Sequence, residues 1–177
     1  MFNQIYLMGV LISKKKKILL VGLDNSGKTT ILNNLIKNKQ EDITPTAGIN
    51  IEKFDLNGIK YTAYDVSGMH KYCDLKEEKY AEVNAIIFVI DSNDIIRLKK
   101  AKTELKQLLS HISTQNVPIL FFSNKIDIKT SLSPAEISKE MELSAIVDRN
   151  WNIFGSDAIA NMGIKEGIKW LSTLLKK

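Results

Sequence analysis

The chain is predicted to fold as an α/β domain built on a six-stranded, mostly parallel sheet with one antiparallel strand and helices on both faces. Three observations predict it. Wholly apolar runs at 18–21, 85–90 and 117–122 have the composition of strands buried on both faces, and they alternate with stretches whose apolar residues recur at helical spacing. Asn57-Gly58 lies between two alternating segments, a strong signal for a two-residue hairpin and so for the one antiparallel pair. Gly22-Leu23-Asp24-Asn25-Ser26-Gly27-Lys28-Thr29 fits G-x-x-x-x-G-K-[ST] between the first strand and the first helix, the setting of a phosphate-binding loop.

In chain order, the strand at 18–21 runs into that loop. Ile31, Leu32, Leu35 and Ile36 stripe a helix predicted over 28–38. Residues 39–48 read as a polar connection, because Pro45 and Gly48 oppose regular structure. Residues 49–56 alternate apolar with polar, and past Asn57-Gly58 the partner strand covers 59–64, closed by Asp65-Val66-Ser67-Gly68. A polar segment, 69–82, leads to the strand at 85–90. Asp94 is placed to cap a helix whose inner face carries Ile95, Leu98, Ala101, Leu105, Leu108, Leu109 and Ile112. After the strand at 117–122, Ser133-Pro134-Ala135-Glu136 forms a capping box with proline at the first helical position. Residues 151–154 make a short last strand, and Ile164, Ile168, Leu171 and Leu175 stripe a terminal helix. The resulting order, β-α-β-β-α-β-α-β-α-β-α, puts ligands at the carboxyl ends of the strands. The phosphate loop, Asp65 and the segments after Ile90 and Phe122 all lie at that end.

A chain of 177 residues is long enough for one domain with a continuous core, and 44% hydrophobic with 25% charged residues argues against disorder. No apolar run approaches the ~20 residues that span a bilayer as a helix. Cys73, the single cysteine, excludes an internal disulfide and suits a reducing compartment. The net charge is +5, and Lys14-Lys15-Lys16-Lys17 supply four of those charges. The basicity is therefore local, so no nucleic-acid-binding face is expected, whereas lysines beside an apolar segment fit an anionic membrane surface. Residues 1–13 are that segment. They suit either a helix lying on a membrane or a stretch packed on the protein's own surface, because Phe2, Ile5 and Tyr6 share one side while Leu7, Val10, Leu11 and Ile12 spread apolar surface around the rest. The charges follow the apolar stretch, unlike those of a secretory signal. Phe2 excludes N-myristoylation as written, but Met8-Gly9-Val10-Leu11-Ile12-Ser13 fits the pattern internally, and initiation at Met8 would expose Gly9.

The chemistry of the phosphate loop follows from its residues. Small and polar side chains let the backbone curl so that successive N–H groups point inward at the positive end of the following helix. Lys28 can then reach the β- and γ-phosphates of a nucleotide, and the Thr29 hydroxyl can ligate Mg²⁺. Such a loop does not choose the base. Asn124-Lys125-Ile126-Asp127 makes that choice, because the Asp127 carboxylate can accept hydrogen bonds from N1–H and N2–H₂ of guanine and would be left unpaired by adenine. The Lys125 stem can lie over the purine ring.

On these motifs the chain resembles the Arf-like small GTPases over essentially its whole length. The resemblance rests on Gly22-Leu23-Asp24-Asn25-Ser26-Gly27-Lys28-Thr29-Thr30, Pro45-Thr46-Ala47-Gly48, Asp65-Val66-Ser67-Gly68, Phe88-Val89-Ile90-Asp91-Ser92-Asn93-Asp94 and Asn124-Lys125-Ile126-Asp127. Ser67, Ile51-Glu52-Lys53-Phe54, Ile119-Leu120-Phe121-Phe122 and Ser156-Asp157-Ala158-Ile159 are most similar to the ciliary branch linked to Bardet–Biedl syndrome. The resemblance implies the P-loop small GTPase fold over 17–177, with 1–16 as an apolar and basic N-terminal segment. It implies GTP and GDP as ligands with Mg²⁺, held by the residues from Gly22 to Thr30 together with Thr46, Gly68, Asn124, Lys125, Asp127, Gly155 and Ser156. Thr46 and Thr29 would ligate Mg²⁺, Asp65 would hold it through water, the Gly68 N–H would contact the γ-phosphate, and Lys28, Thr46 and Gly68 would serve hydrolysis. In such proteins the two loops order on the γ-phosphate, and the hairpin at Asn57-Gly58 shifts register and displaces the N-terminal helix. The implied partners are effector proteins in the GTP state, an exchange factor and a membrane met through residues 1–17. A monomer is expected, cytoplasmic and peripheral to a membrane, at the base of a cilium or flagellum and engaged in protein transport.

The departures bear on mechanism. Where the family has a glutamine that orients the attacking water, this chain has Met69, a thioether that cannot donate a hydrogen bond. Hydrolysis is therefore expected to be slow, and a constitutively GTP-loaded adaptor is the alternative reading. His70 beside it reads as a solvated loop histidine. The family's aromatic positions in the two switches fall on Ile49, Lys76 and Lys79, which puts a borrowed effector pocket in doubt.

Overall fold

The computed structural model describes residues 14–36, 49–66, 83–110 and 116–176. Within them lie strands β1 (Lys14–Val21), β2 (Ile49–Leu56), β3 (Ile59–Val66), β4 (Ala85–Asp91), β5 (Ile119–Asn124) and β6 (Trp151–Ser156), and helices α1 (Lys28–Leu35), α2 (Leu98–Ser110), α3 (Pro134–Glu140) and α4 (Ile164–Leu175). The six strands form one sheet in the order β2-β3-β1-β4-β5-β6. Only β2 and β3 run antiparallel, joined through Asn57-Gly58, and the other neighbours are parallel. The predicted fold class is thus observed. The N-terminal segment 1–13, the connection 39–48, the segment 69–82 and Ile112 lie outside the described residues.

Period-two alternation sorts the strand residues onto two faces. Leu19, Val21, Ile86, Phe88, Ile90 and Phe121 face α2 and α3, where Leu98, Ala101, Leu105, Leu108 and Ile137 meet them. Ile18, Leu20, Ile87, Val89, Leu120 and Phe122 face α1 and α4, where Ile31, Leu32, Ile164, Ile168 and Leu171 meet them. Most of these side chains are fully buried, each contributing about 1.5–3 kcal/mol of transfer free energy. The hairpin is fixed to α4 by polar contacts as well. Asn57 Nδ2 donates to Ser172 Oγ at 3.2 Å, Tyr61 OH shares a hydrogen bond with the same oxygen at 2.9 Å, and Ser172 Oγ lies 2.7 Å from the Ile168 carbonyl, to which it can donate. Burial pushes the Tyr61 hydroxyl pKa up, and the Ser172 bond opposes that shift in part.

Several element bounds differ from the sequence expectation, each for a reason of backbone pairing. β1 begins at Lys14, because the lysine run pairs with β3 from Ile59 to Thr62 and Lys17 exchanges bonds with Asn84, N–H to Oδ1 at 2.8 Å and carbonyl to N–H at 2.9 Å. A ladder needs backbone groups, not apolar side chains. For the same reason β3 runs on through Asp65 to Val66 opposite β2, and β5 runs on to Asn124 opposite Asp91. Helix α2 starts later than expected. Asp94 caps a 3₁₀ turn, Ile95–Arg97, accepting from the Arg97 N–H at 3.2 Å, and this tighter turn rotates Ile95 off the inner face. Ile95 is 54% exposed, which corrects its placement in the core. The capping box at Ser133 forms as predicted, with both reciprocal bonds present.

Candidate functional site

The sheet order places the loop after β1 beside the ends of β3, β4 and β5, so the phosphate loop and the N-K-x-D segment meet although about a hundred residues separate them. Gly22 and Gly27 make the loop's path possible. Gly22 has φ +140, and a Cβ there would lie 2.2 Å from the Val89 carbonyl oxygen of β4. Gly27, at φ +96, would bring a Cβ to 2.2 Å from Asn124 Nδ2. Both conformations strain an L side chain, and both approaches leave no room for one. Asn25, between them, also has positive φ. Alternation of this kind turns successive N–H groups to one side, the cradle that suits an anion.

Lys28 is the first residue of α1 and only 6% exposed. Its ammonium donates to the carbonyls of Gly22 and Leu23 at 3.0 and 2.9 Å, across the mouth of the loop. Burial holds its pKa below the usual lysine value, while Asp65, Asp24 and Glu104 act in the opposite sense. Thr29 Oγ1 donates to Asp65 Oδ2 at 2.8 Å, so the two oxygens proposed from sequence to serve a metal stand together at the carboxyl end of the sheet. Ser26 Oγ is buried without a hydrogen-bond partner. Leu23 is buried, whereas Asp24, Asn25, Thr29 and Thr30 are exposed. Thr46, Gly68, Met69, His70, Cys73, Lys76 and Lys79 lie outside the described residues.

Asn124 joins the two loops. It is buried, its Nδ2 donates to the Ser26 carbonyl at 2.8 Å, and its Oδ1 accepts from Ser156 Oγ and the Ala158 N–H, each at 3.1 Å. The Ser156 hydroxyl thus supports Asn124. Gly155 sits one residue earlier in β6, paired with Ser123. Lys125 adopts φ +66, its carbonyl accepts from Ser131 Oγ at 2.6 Å, and its ammonium lies 2.6 Å from Asp91 Oδ2. Asp127 is exposed, so its carboxylate is open to a ligand. Ala158, Ser131 and Asp91 were assigned no role from sequence. The signal for Asp91 was an acidic residue ending a buried strand, but its partner became legible only once β4 and β5 were known to be adjacent.

Comparison with known proteins agrees with this geometry. The family model of the ADP-ribosylation factor family matches residues 2–175. The chain belongs to the Arf family of small GTPases. It is 44% identical to ADP-ribosylation factor-like protein 6 of Danio rerio over 176 residues, covering 96% of this chain and 95% of that relative. It is 38% identical to ADP-ribosylation factor-like protein 3 of Caenorhabditis elegans, over 90% of this chain and 88% of the relative. Among solved structures, the Arl6 (BBS3) small GTPase of Trypanosoma brucei superposes with a TM-score of 0.79 at 35% identity, covering 91% of this chain and 97% of that one. That structure holds the nucleotide analogue GppNp. The Arf-family fold and the resemblance to its Arl6 members, both expected from the motifs, are thereby established.

Proposed function

We propose that this Arf-family chain is a guanine-nucleotide switch that binds GTP and GDP with Mg²⁺ and recruits effector proteins at a membrane in its GTP state. The observation that carries the reading is the Asn124 clamp, which ties the phosphate loop at Ser26 to the segment that presents Lys125 and Asp127. Phosphate grip and base choice are then parts of one rigid unit. The donor set fits the nucleotide, because the loop's path leaves no room for a Cβ at Gly22 or Gly27 and a buried ammonium spans its mouth. It fits Mg²⁺ too, since Thr29 offers a hydroxyl beside the Asp65 carboxylate. When bound, Mg²⁺ would neutralise charge on the β- and γ-phosphates. Thr46 and the Gly68 N–H complete the proposed γ-phosphate contacts, an exchange factor would load the nucleotide, and residues 1–17 would meet the membrane. A place at the base of a cilium or flagellum belongs to the same reading and is supported by the likeness to Arl6.

Titration of the purified chain with GTP, GDP and ATP tests this reading. Guanine nucleotides are expected to bind and ATP to fail to compete; tighter binding of ATP would overturn it. Met69 favours a second reading, a GTP-loaded adaptor that turns over negligibly. Single-turnover release of phosphate from bound GTP separates the two, with slow release supporting the switch and none, even with cell extract, supporting the adaptor. Met69→Gln is expected to raise the rate, because the amide can both donate to and accept from the attacking water. An unchanged rate would place the impairment elsewhere in the site.

A further inference from the structure

Asp91 is the last residue of β4, in register with Asn124 of β5, and its side chain is 11% exposed. Its two oxygens have different partners. Oδ1 accepts from the Asn93 N–H at 3.0 Å, which fixes the plane of the carboxylate, and Oδ2 meets the Lys125 ammonium at 2.6 Å. The neighbouring acid is not available for this task, because Asp94 is committed to Arg97, through the N–H at 3.2 Å and Nε at 2.5 Å. Lys125 is held at its other end as well. Its φ of +66 is a conformation lysine seldom adopts, and its carbonyl accepts from Ser131 Oγ at 2.6 Å and the Ile128 N–H at 3.2 Å. Such local strain persists only where surrounding contacts over-determine it, and it clusters at functional sites. With both ends fixed, the four-carbon stem has one path.

We propose that Asp91 is a positioning residue for purine recognition: its carboxylate anchors the Lys125 ammonium and so holds the lysine stem as an apolar platform against the face of the guanine. The proposal rests on reading the site as a guanine-nucleotide site. A long lysine otherwise samples many rotamers, and ordering it on binding would cost affinity; the ion pair orders it beforehand. Because the pair serves the base and not the phosphates, its loss affects GDP and GTP alike.

The test follows release of fluorescent GDP and fluorescent GTP from the full chain. Asp91→Asn is expected to release both about tenfold faster and by the same factor. In a Lys125→Met background the same substitution is expected to add nothing, since the group that Asp91 positions is gone. Asp91→Glu, which keeps the charge, is expected to fall between Asp91→Asn and the unaltered chain. Should Asp91→Asn fail to fold, Asp91→Ser replaces it, its hydroxyl still able to accept from Asn93. Release at the original rate would overturn the proposal, and so would an undiminished effect in the Lys125→Met background, which would make Asp91 a structural residue. If the unaltered chain holds no guanine nucleotide, the reading of the whole site falls before any variant is compared.

Discussion

The phosphate loop and the N-K-x-D loop face one site but are built differently. The first relies on backbone: positive φ at Gly22, Asn25 and Gly27, a close approach to Val89, and a buried lysine that bonds the loop's own carbonyls. The second relies on side chains: Asn124 with three hydrogen bonds, the Lys125–Asp91 pair, and an exposed Asp127. A backbone device of this kind fails when a single methyl is added at either of its two close approaches, Gly22 or Gly27. A side-chain device lets selectivity change at an exposed atom while the support beneath stays intact.

The largest effect is expected where the two devices touch. Gly27→Ala would force a Cβ onto Asn124 Nδ2 at positive φ, and about 3 kcal/mol of stability should be lost, with nucleotide binding abolished; denaturant titration and nucleotide binding check both. Wild-type behaviour would mean that the loops are not tightly coupled. Next comes Asn124→Ala, which leaves the Ser26 carbonyl, the Ser156 hydroxyl and the Ala158 N–H without their partner. Its cost should be about 2–3 kcal/mol, and GTP and GDP should be weakened together, as calorimetric titration would reveal.

Asp127→Asn should separate selectivity from stability. Because Asp127 is exposed, the melting curve should shift by no more than about 0.5 kcal/mol, while preference moves from guanine toward xanthine as an amide donor replaces a carboxylate acceptor. Unchanged selectivity in competition binding would refute the base-reading role. The smallest effect is a pH dependence at the phosphate loop. Burial holds Lys28 below its ordinary 10.5, so between its lowered value and 10.5 the unfolded chain binds more protons and stability of the nucleotide-free form rises with pH. Phosphate would push Lys28 back up, binding would take up a proton, and affinity should fall as pH rises through the same alkaline window. A flat affinity profile there would show that Lys28 does not meet phosphate.

Much of the fold was legible because its signals are local. Apolar runs for the central strands, Asn57-Gly58 for the hairpin and the capping box at Ser133 each depend on neighbouring residues, and each element formed where expected. Strand ends were not legible, since Lys14–Lys17, Asp65 and Asn124 join the sheet through backbone bonds to distant partners whatever their side chains. Ile95 was misplaced because, although Asp94 caps as expected, the turn it caps is 3₁₀, and helical periodicity does not foresee that tighter winding.

The sequence by itself determined the G-x-x-x-x-G-K-T loop, the N-K-x-D tetrapeptide and the family, because those motifs are short, contiguous and set by the chemistry of the residues they contain. Tertiary structure alone decided how the two loops are joined. Asn124 reaches Ser26 across 98 residues, and Lys125 finds Asp91 across an adjacent strand. Those partners are chosen by the order of strands in the sheet, and that order follows from burying two apolar faces at once.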